Sequence, residues 1–126
     1  MRAVDTNVIV RMVTRDDVAQ AQAADRFVEG GAWVSVLAFA EAVWVLNRIY
    51  QFTASEQMIA IEMLLKHQDL VIQDPETIQG ALDLFRERPT LGFSDCLLFQ
   101  LTKDAGHLPL GTFDRKLAKV NGVQRI

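Results

Sequence analysis

Cysteine is almost missing from this chain of 126 residues. Cys96 stands alone, so no internal disulfide can form, and the composition suits the cytoplasm. His67 and His107 are the only histidines, and neither is spaced with Cys or a second His as zinc ligands are. Three prolines and seven glycines leave no linker, and no repeat or low-complexity segment is visible. No run of about 18 apolar residues occurs, which excludes a helical membrane span. The N-terminus lacks the apolar stretch of a signal peptide. Positive charge is short as well: the net charge of −3 excludes a protein that coats nucleic acid by bulk charge. What is abundant is apolar sequence, half of all residues, enough for one globular domain over residues 1–126.

The apolar sequence is divided into short strands alternating with helices. Strands are expected at 1–4, 33–36, 70–72 and 108–111, with an edge strand at 123–126. Helices are expected at 7–13, from a cap at Asp16 or Asp17 to Glu29, and at 37–50. A capping box at Thr53-Ala54-Ser55-Glu56 opens the next, which reaches about His67. Asp74-Pro75 opens one that ends near Arg88, and Ser94 caps one through Ala105. Asp114 or Thr112 opens a last short helix through Val120. Gly30-Gly31 and Gly106 are stops. Strand alternating with helix implies a mainly parallel sheet covered on both faces, with sites beyond the carboxyl ends of the strands.

Four acids stand beside apolar runs: Asp5, Glu41, Asp95 and Asp114. A carboxylate next to core sequence costs several kcal/mol to desolvate unless paired, hydrogen-bonded or bound to a cation. Gathered together, four of them call for a divalent metal, and carboxylate-held metals cut or transfer phosphate esters. Each acid also has a plainer reading. Asp5 and Asp114 can cap the helices after them, and Asp95 can be a first-turn acid favoured by the helix dipole. Glu41, with Leu37, Ala38, Trp44 and Val45 around it, is expected on a core-facing ridge, where the plain reading is a buried pair with Arg48. Mutual repulsion should raise the pKa of at least one of the four when no metal is bound.

Four segments resemble the PIN-domain ribonucleases, and among them the VapC-type toxins of toxin–antitoxin pairs. They are Val4-Asp5-Thr6-Asn7-Val8-Ile9-Val10-Arg11, then Val34-Ser35-Val36 with Glu41-Ala42-Val43-Trp44-Val45-Leu46, then Phe93-Ser94-Asp95-Cys96-Leu97-Leu98, then Gly111-Thr112-Phe113-Asp114-Arg115-Lys116-Leu117. The resemblance implies an α/β fold, a three-layer α/β/α sandwich with a short, mainly parallel central sheet. It implies a Mg²⁺- or Mn²⁺-dependent endoribonuclease, a homodimer, and a cognate antitoxin that covers the active site. It maps the acidic metal ligands onto Asp5, Glu41, Asp95 and Asp114, and hydroxyl and amide helpers onto Thr6, Asn7 and Thr112. Cys96 departs from the alanine frequent after the third acid, and His107 lies where residue choice is loose.

On that reading Asp5 and Asp95 hold the principal ion, Glu41 assists, and Asp114 binds a second ion or orients the attacking water. Arg11, Arg15, Arg86, Arg88, Arg115 and Lys116 are the available phosphate contacts, with Arg115 and Lys116 nearest Asp114 in sequence. Trp33 and Trp44 are expected in the core or in a dimer contact. Two rivals stay open. An aspartate-dependent phosphatase would use Asp5 as nucleophile, though Asn7 stands where a second Asp is wanted. A protein-binding module with an inert site would need none of the acids.

Overall fold

In the computed structural model, residues 1–126 are all described, and they form an α/β fold of helices and short parallel strands. The chain divides into two compact units, Met1–Pro75 and Glu76–Ile126.

The first unit holds β1 (Arg2–Ala3), α1 (Thr6–Thr14), α2 (Val18–Val28), β2 (Ala32–Val34), α3 (Val36–Arg48), α4 (Ala54–Lys66) and β3 (Leu70–Ile72). Its sheet runs β1-β2-β3, all parallel, with Arg2 opposite Ala32 and Ala32 opposite Leu70. Strand alternation buries Ala32, Val34, Leu70 and Ile72, while Trp33 and its register partner Val71 are exposed. The core is filled by Ile9 and Val10 of α1, Phe39, Val43 and Leu46 of α3, and Ile61 of α4. Burying side chains of this size stabilises by about 1.5–3 kcal/mol each.

Local chemistry sets the helix starts. Asp17 accepts the Gln20 N–H at 3.0 Å and Ser35 the Ala38 N–H at 3.0 Å. Ser35 therefore ends β2 early, and α3 begins at Val36. Thr53 and Glu56 complete the expected capping box, with reciprocal bonds of 3.2 and 2.9 Å. Gly30 and Gly31, both at positive φ, end α2, where the Gly31 N–H donates to the Val28 carbonyl.

The second unit holds the body of α5 (Pro75–Glu87), a 3₁₀ turn at Pro89–Leu91, α6 (Phe93–Asp104), β4 (Leu110–Thr112), a 3₁₀ turn at Leu117–Lys119, and β5 (Val123–Arg125). β4 and β5 pair in parallel, with Thr112 opposite Arg125. Ile78, Leu82 and Phe85 of α5 are buried, as are Phe93, Cys96 and Leu97 of α6, and the Phe85 and Phe93 rings lie 6.1 Å apart. Asp104 clasps the helices together: it accepts from the Thr77 hydroxyl at 2.7 Å and the Gln100 carboxamide at 2.9 Å. A second cluster gathers Phe99, Leu117 and Val120 against Leu84, Leu91, Leu110 and Val123.

Three local expectations shift in this unit. Ser94 does not cap α6. Gly92, at φ 81°, occupies the cap position without a side-chain bond, and Phe93 starts the helix because its ring packs inward. The strand near 108–111 moves to Leu110–Thr112, since Pro109 has no N–H to offer a ladder. The last helix shrinks to one 3₁₀ turn. The Asp114 carboxylate takes the N–H groups of both Lys116 and Leu117, which closes a tight turn instead of opening an α-helix.

Candidate functional site

Asp5 leaves β1 one residue after Val4, whose N–H bonds the Trp33 carbonyl at 3.1 Å. It caps α1, accepting the Val8 N–H on Oδ1 at 3.1 Å, and the residue is exposed. The plain capping role is therefore real, and it uses one of the two carboxylate oxygens. Thr6, the first residue of α1, donates its hydroxyl to Glu41 Oε2 at 2.9 Å. That bond ties the start of α1 to the middle of α3. Asn7 follows, exposed, at the edge of an apolar pocket of about 300 Å³ between α1 and α2, with Val8, Ala24 and Phe27 among its walls.

Glu41 is not on a core-facing ridge. α3 buries Ala38, Phe39, Ala42, Val43 and Leu46, and at 100° per residue this turns Leu37, Glu41, Trp44 and Arg48 outward as one stripe. Leu37 is 68% exposed and Trp44 53%, so neither Trp44 nor Trp33 is a core residue. Arg48 lies 6.0 Å from the Trp44 ring centroid, and the buried Glu41–Arg48 pair does not form. The partner of Glu41 is the Thr6 hydroxyl.

In the second unit, Asp95 sits in the first turn of α6, half-buried. Burial, and then the charge of Asp114, push its carboxyl above the usual carboxylate range, both acting in one direction. Repulsion thus raises one of the four acids as expected, although burial is the larger cause. Asp114 is the opposite case. Its Oδ1 accepts from the backbone N–H of Lys116 at 2.7 Å and of Leu117 at 3.0 Å, and these bonds hold its carboxyl below the usual range. The Thr112 hydroxyl accepts the Asp114 N–H at 3.0 Å, which fixes the turn from its other side. Asp95 and Asp114 are therefore a half-buried carboxyl beside a firmly ionised one.

All these donors are oxygen atoms, the kind hard divalent ions prefer. In number they stop short: no group of three or more His, Cys, Asp or Glu side chains is arranged to hold an ion.

Two of the arginines expected to meet RNA are engaged inside the fold. Arg11 donates to Gln20 at 2.6 Å, Asp16 at 3.1 Å and the Tyr50 hydroxyl at 2.8 Å, and Tyr50 in turn donates to Asp16 at 2.8 Å. Arg15 grips Asp25 through two bonds, of 3.2 and 2.6 Å. Arg115 and Lys116 stay exposed beside Asp114. His67 is the half-buried C-cap of α4, and its Nδ1 accepts the Asp69 N–H at 3.1 Å. Cys96 is buried, and burial followed by the Asp95 charge pushes its thiol up to about 12, which rules out a thiolate nucleophile at neutral pH. Lys119 escaped the sequence reading. Its signal was the spacing of three from Lys116, which puts both cations on one side of a helical turn.

The family model described as PIN domain matches residues 2–123. No curated protein and no solved structure matches the chain.

Proposed function

The chain belongs to the PIN domain family, whose activity is of the nuclease type, and from that membership we propose that it is a Mg²⁺- or Mn²⁺-dependent endoribonuclease, the toxin of a toxin–antitoxin pair. Asp5, Glu41, Asp95 and Asp114 would be its acidic ligands, a set that family membership suggests and of which no three stand grouped in the structure. When bound, the ion supplies a water of lowered pKa and neutralises charge on the phosphate. The chain's own groups prepare the acids for this. The Thr6 hydroxyl restrains the Glu41 side chain, and the Lys116 and Leu117 amides keep Asp114 ionised. The Thr112 hydroxyl anchors the Asp114 backbone, and Asn7 offers an exposed carboxamide.

One observation carries the reading, the match of the PIN domain family over residues 2–123; the half-buried Asp95 carboxyl, raised by burial first and by the charge of Asp114 second, is a group that a cation would relieve. The order of the four motif segments along the chain supports the toxin assignment. The exposed Leu37 and Trp44 of α3 suit contact with a protein partner, a second copy or an antitoxin. No helix is long and apolar enough to cross a membrane; the proposed place of action is the cytoplasm. The test is cleavage of single-stranded RNA by the purified protein, with Mn²⁺ or with chelator, followed by end mapping. Hydrolysis should need the ion and leave a 5′-phosphate and a 3′-hydroxyl. Cutting that persists in chelator contradicts the proposal.

A further inference from the structure

A nuclease of net negative charge needs a local device to hold its strand, and two features beside Asp114 are unused by the fold. The first is Phe113, between Thr112 and Asp114. At 79% exposed it is the most exposed aromatic side chain in the protein, and it joins neither the core nor an aromatic pair. Its backbone is held on both sides. The Thr112 carbonyl accepts the Ile126 N–H at 2.9 Å and the Thr112 hydroxyl takes the Asp114 N–H, while Asp114 closes the turn beyond. The ring is thus displayed from a fixed turn.

The second feature is a pocket of about 340 Å³ between the turn at 88–91 and the cations Lys116 and Lys119. Leu91 packs against the cluster of Phe99, Leu117 and Val120, which joins the two 3₁₀ turns that form the walls. Arg88, Lys116 and Lys119 line the pocket with one acid, Glu87, and the hydroxyl-bearing Thr90. None of the three cations is held in an ion pair, unlike Arg11 and Arg15. Like charges gathered in one concavity disfavour the folded chain and favour an anion between them.

We propose that Phe113 and this pocket form a subsite for single-stranded RNA, with a backbone phosphate held by Arg88, Lys116 and Lys119 and the base of a neighbouring nucleotide stacked on the Phe113 ring. The proposal rests on the ribonuclease reading for its choice of RNA. An exposed ring three residues from a cationic pocket matches the alternation of base and phosphate along a strand. It matches a protein partner less well, because such a partner would have to bring an acidic group beside its apolar anchor. Every base has a π-face, so stacking of this kind grips without reading sequence. The subsite therefore holds the strand beside Asp114 and leaves selectivity to other contacts.

The test is equilibrium binding of a fluorescein-labelled, mixed-sequence, single-stranded oligoribonucleotide to the full chain in EDTA, across a salt series. Phe113→Ala should weaken binding by about 5- to 150-fold, the range for losing one stacked base, and Phe113→Tyr should bind like the wild type. The double variant Arg88→Gln/Lys119→Gln should flatten the dependence of log K on log salt by about 0.7 for each phosphate charge it no longer neutralises. All the altered side chains are exposed, so melting curves should be unchanged. Phe113→Ala binding as tightly as wild type, which would also be the outcome if the ring anchored a protein, overturns the proposal. So does an unaltered salt slope in the double variant. Cleavage of the same oligonucleotide with Mn²⁺ tests the ribonuclease reading separately. A wild type that cuts, with variants that bind normally, sinks the subsite alone. A wild type that binds through these residues and never cuts sinks the nuclease alone.

Discussion

Replacing Asp95 by Asn should make the metal-free protein more stable while destroying its activity. Asp95 is a half-buried carboxyl on the first turn of α6, raised above the usual range by burial first and by Asp114 second. Asn keeps the shape and removes the charge, so both costs vanish together. Full burial of a carboxylate would make that cost several kcal/mol. Asp95 retains contact with solvent, and screening leaves about 0.5–1 kcal/mol. For a chain of this length that is a rise in Tm of about 2–5 °C. The assay is thermal unfolding followed by circular dichroism at pH 7, first in EDTA and then with Mn²⁺. The wild type should gain stability with the ion, by about 2.7 kcal/mol once the free ion reaches a hundredfold its Kd. Asp95→Asn should start higher in EDTA and gain much less. The first-turn position pulls the other way, because an acid there favours the helix by about 0.3–1 kcal/mol, and this cuts the net rise to at most about 3 °C. A variant that melts below wild type in EDTA would show that Asp95 is a stabilising helix acid. Equal Mn²⁺ stabilisation in both proteins would refute its place among the ligands.

Thr6→Val should remove the hydroxyl that restrains Glu41 and lower the cleavage rate roughly tenfold, as expected for losing one hydrogen bond to a charged group, whereas Thr6→Ser should retain most of the rate. Arg15→Ala should lower Tm at pH 7, because Arg15 depresses the Asp25 pKa through their paired bonds. With the native pKa below the unfolded value of about 3.9, that increment is present at neutral pH and disappears as pH falls through the native pKa. A Tm gap that is constant from pH 7 to pH 2 would contradict the assignment. Cys96 should resist an aromatic disulfide reagent at pH 8 in the native protein and react at once in denaturant, since its thiol is buried and pushed up to about 12. Fast native labelling would place it outside the core.

Much of the fold was legible because local chemistry and tertiary structure agree. The capping box at Thr53, the Gly30-Gly31 stop and Pro75 at the start of α5 each act within a few residues, and each stands where the sequence places it. Glu41 was misread because α3 carries apolar residues all round. Periodicity cannot choose between the face of Phe39, Val43 and Leu46 and the face of Leu37 and Trp44; packing against the rest of the first unit makes that choice. Arg11 and Arg15 looked available because key partners sit beyond α1, Tyr50 at 39 residues from Arg11 and Asp25 at 10 residues from Arg15, and helix periodicity within α1 does not reveal them. Ser94 looked like a cap because its hydroxyl suits that role. Burial of Phe93 decided the helix start instead.

We propose that Asp5 and Glu41, of Met1–Pro75, and Asp95 and Asp114, of Glu76–Ile126, serve a single reaction. The direct test is the single-turnover rate of RNA cleavage with Mn²⁺ for Asp5→Asn, Glu41→Gln, Asp95→Asn, Asp114→Asn and one double variant drawn from both units. Groups that act as a unit are strongly non-additive. Each single variant should lose cleavage by orders of magnitude, and the double should be little worse than either of its parents. Near-native cutting by the Asp95 and Asp114 variants, with loss confined to the Asp5 and Glu41 variants, would contradict the account.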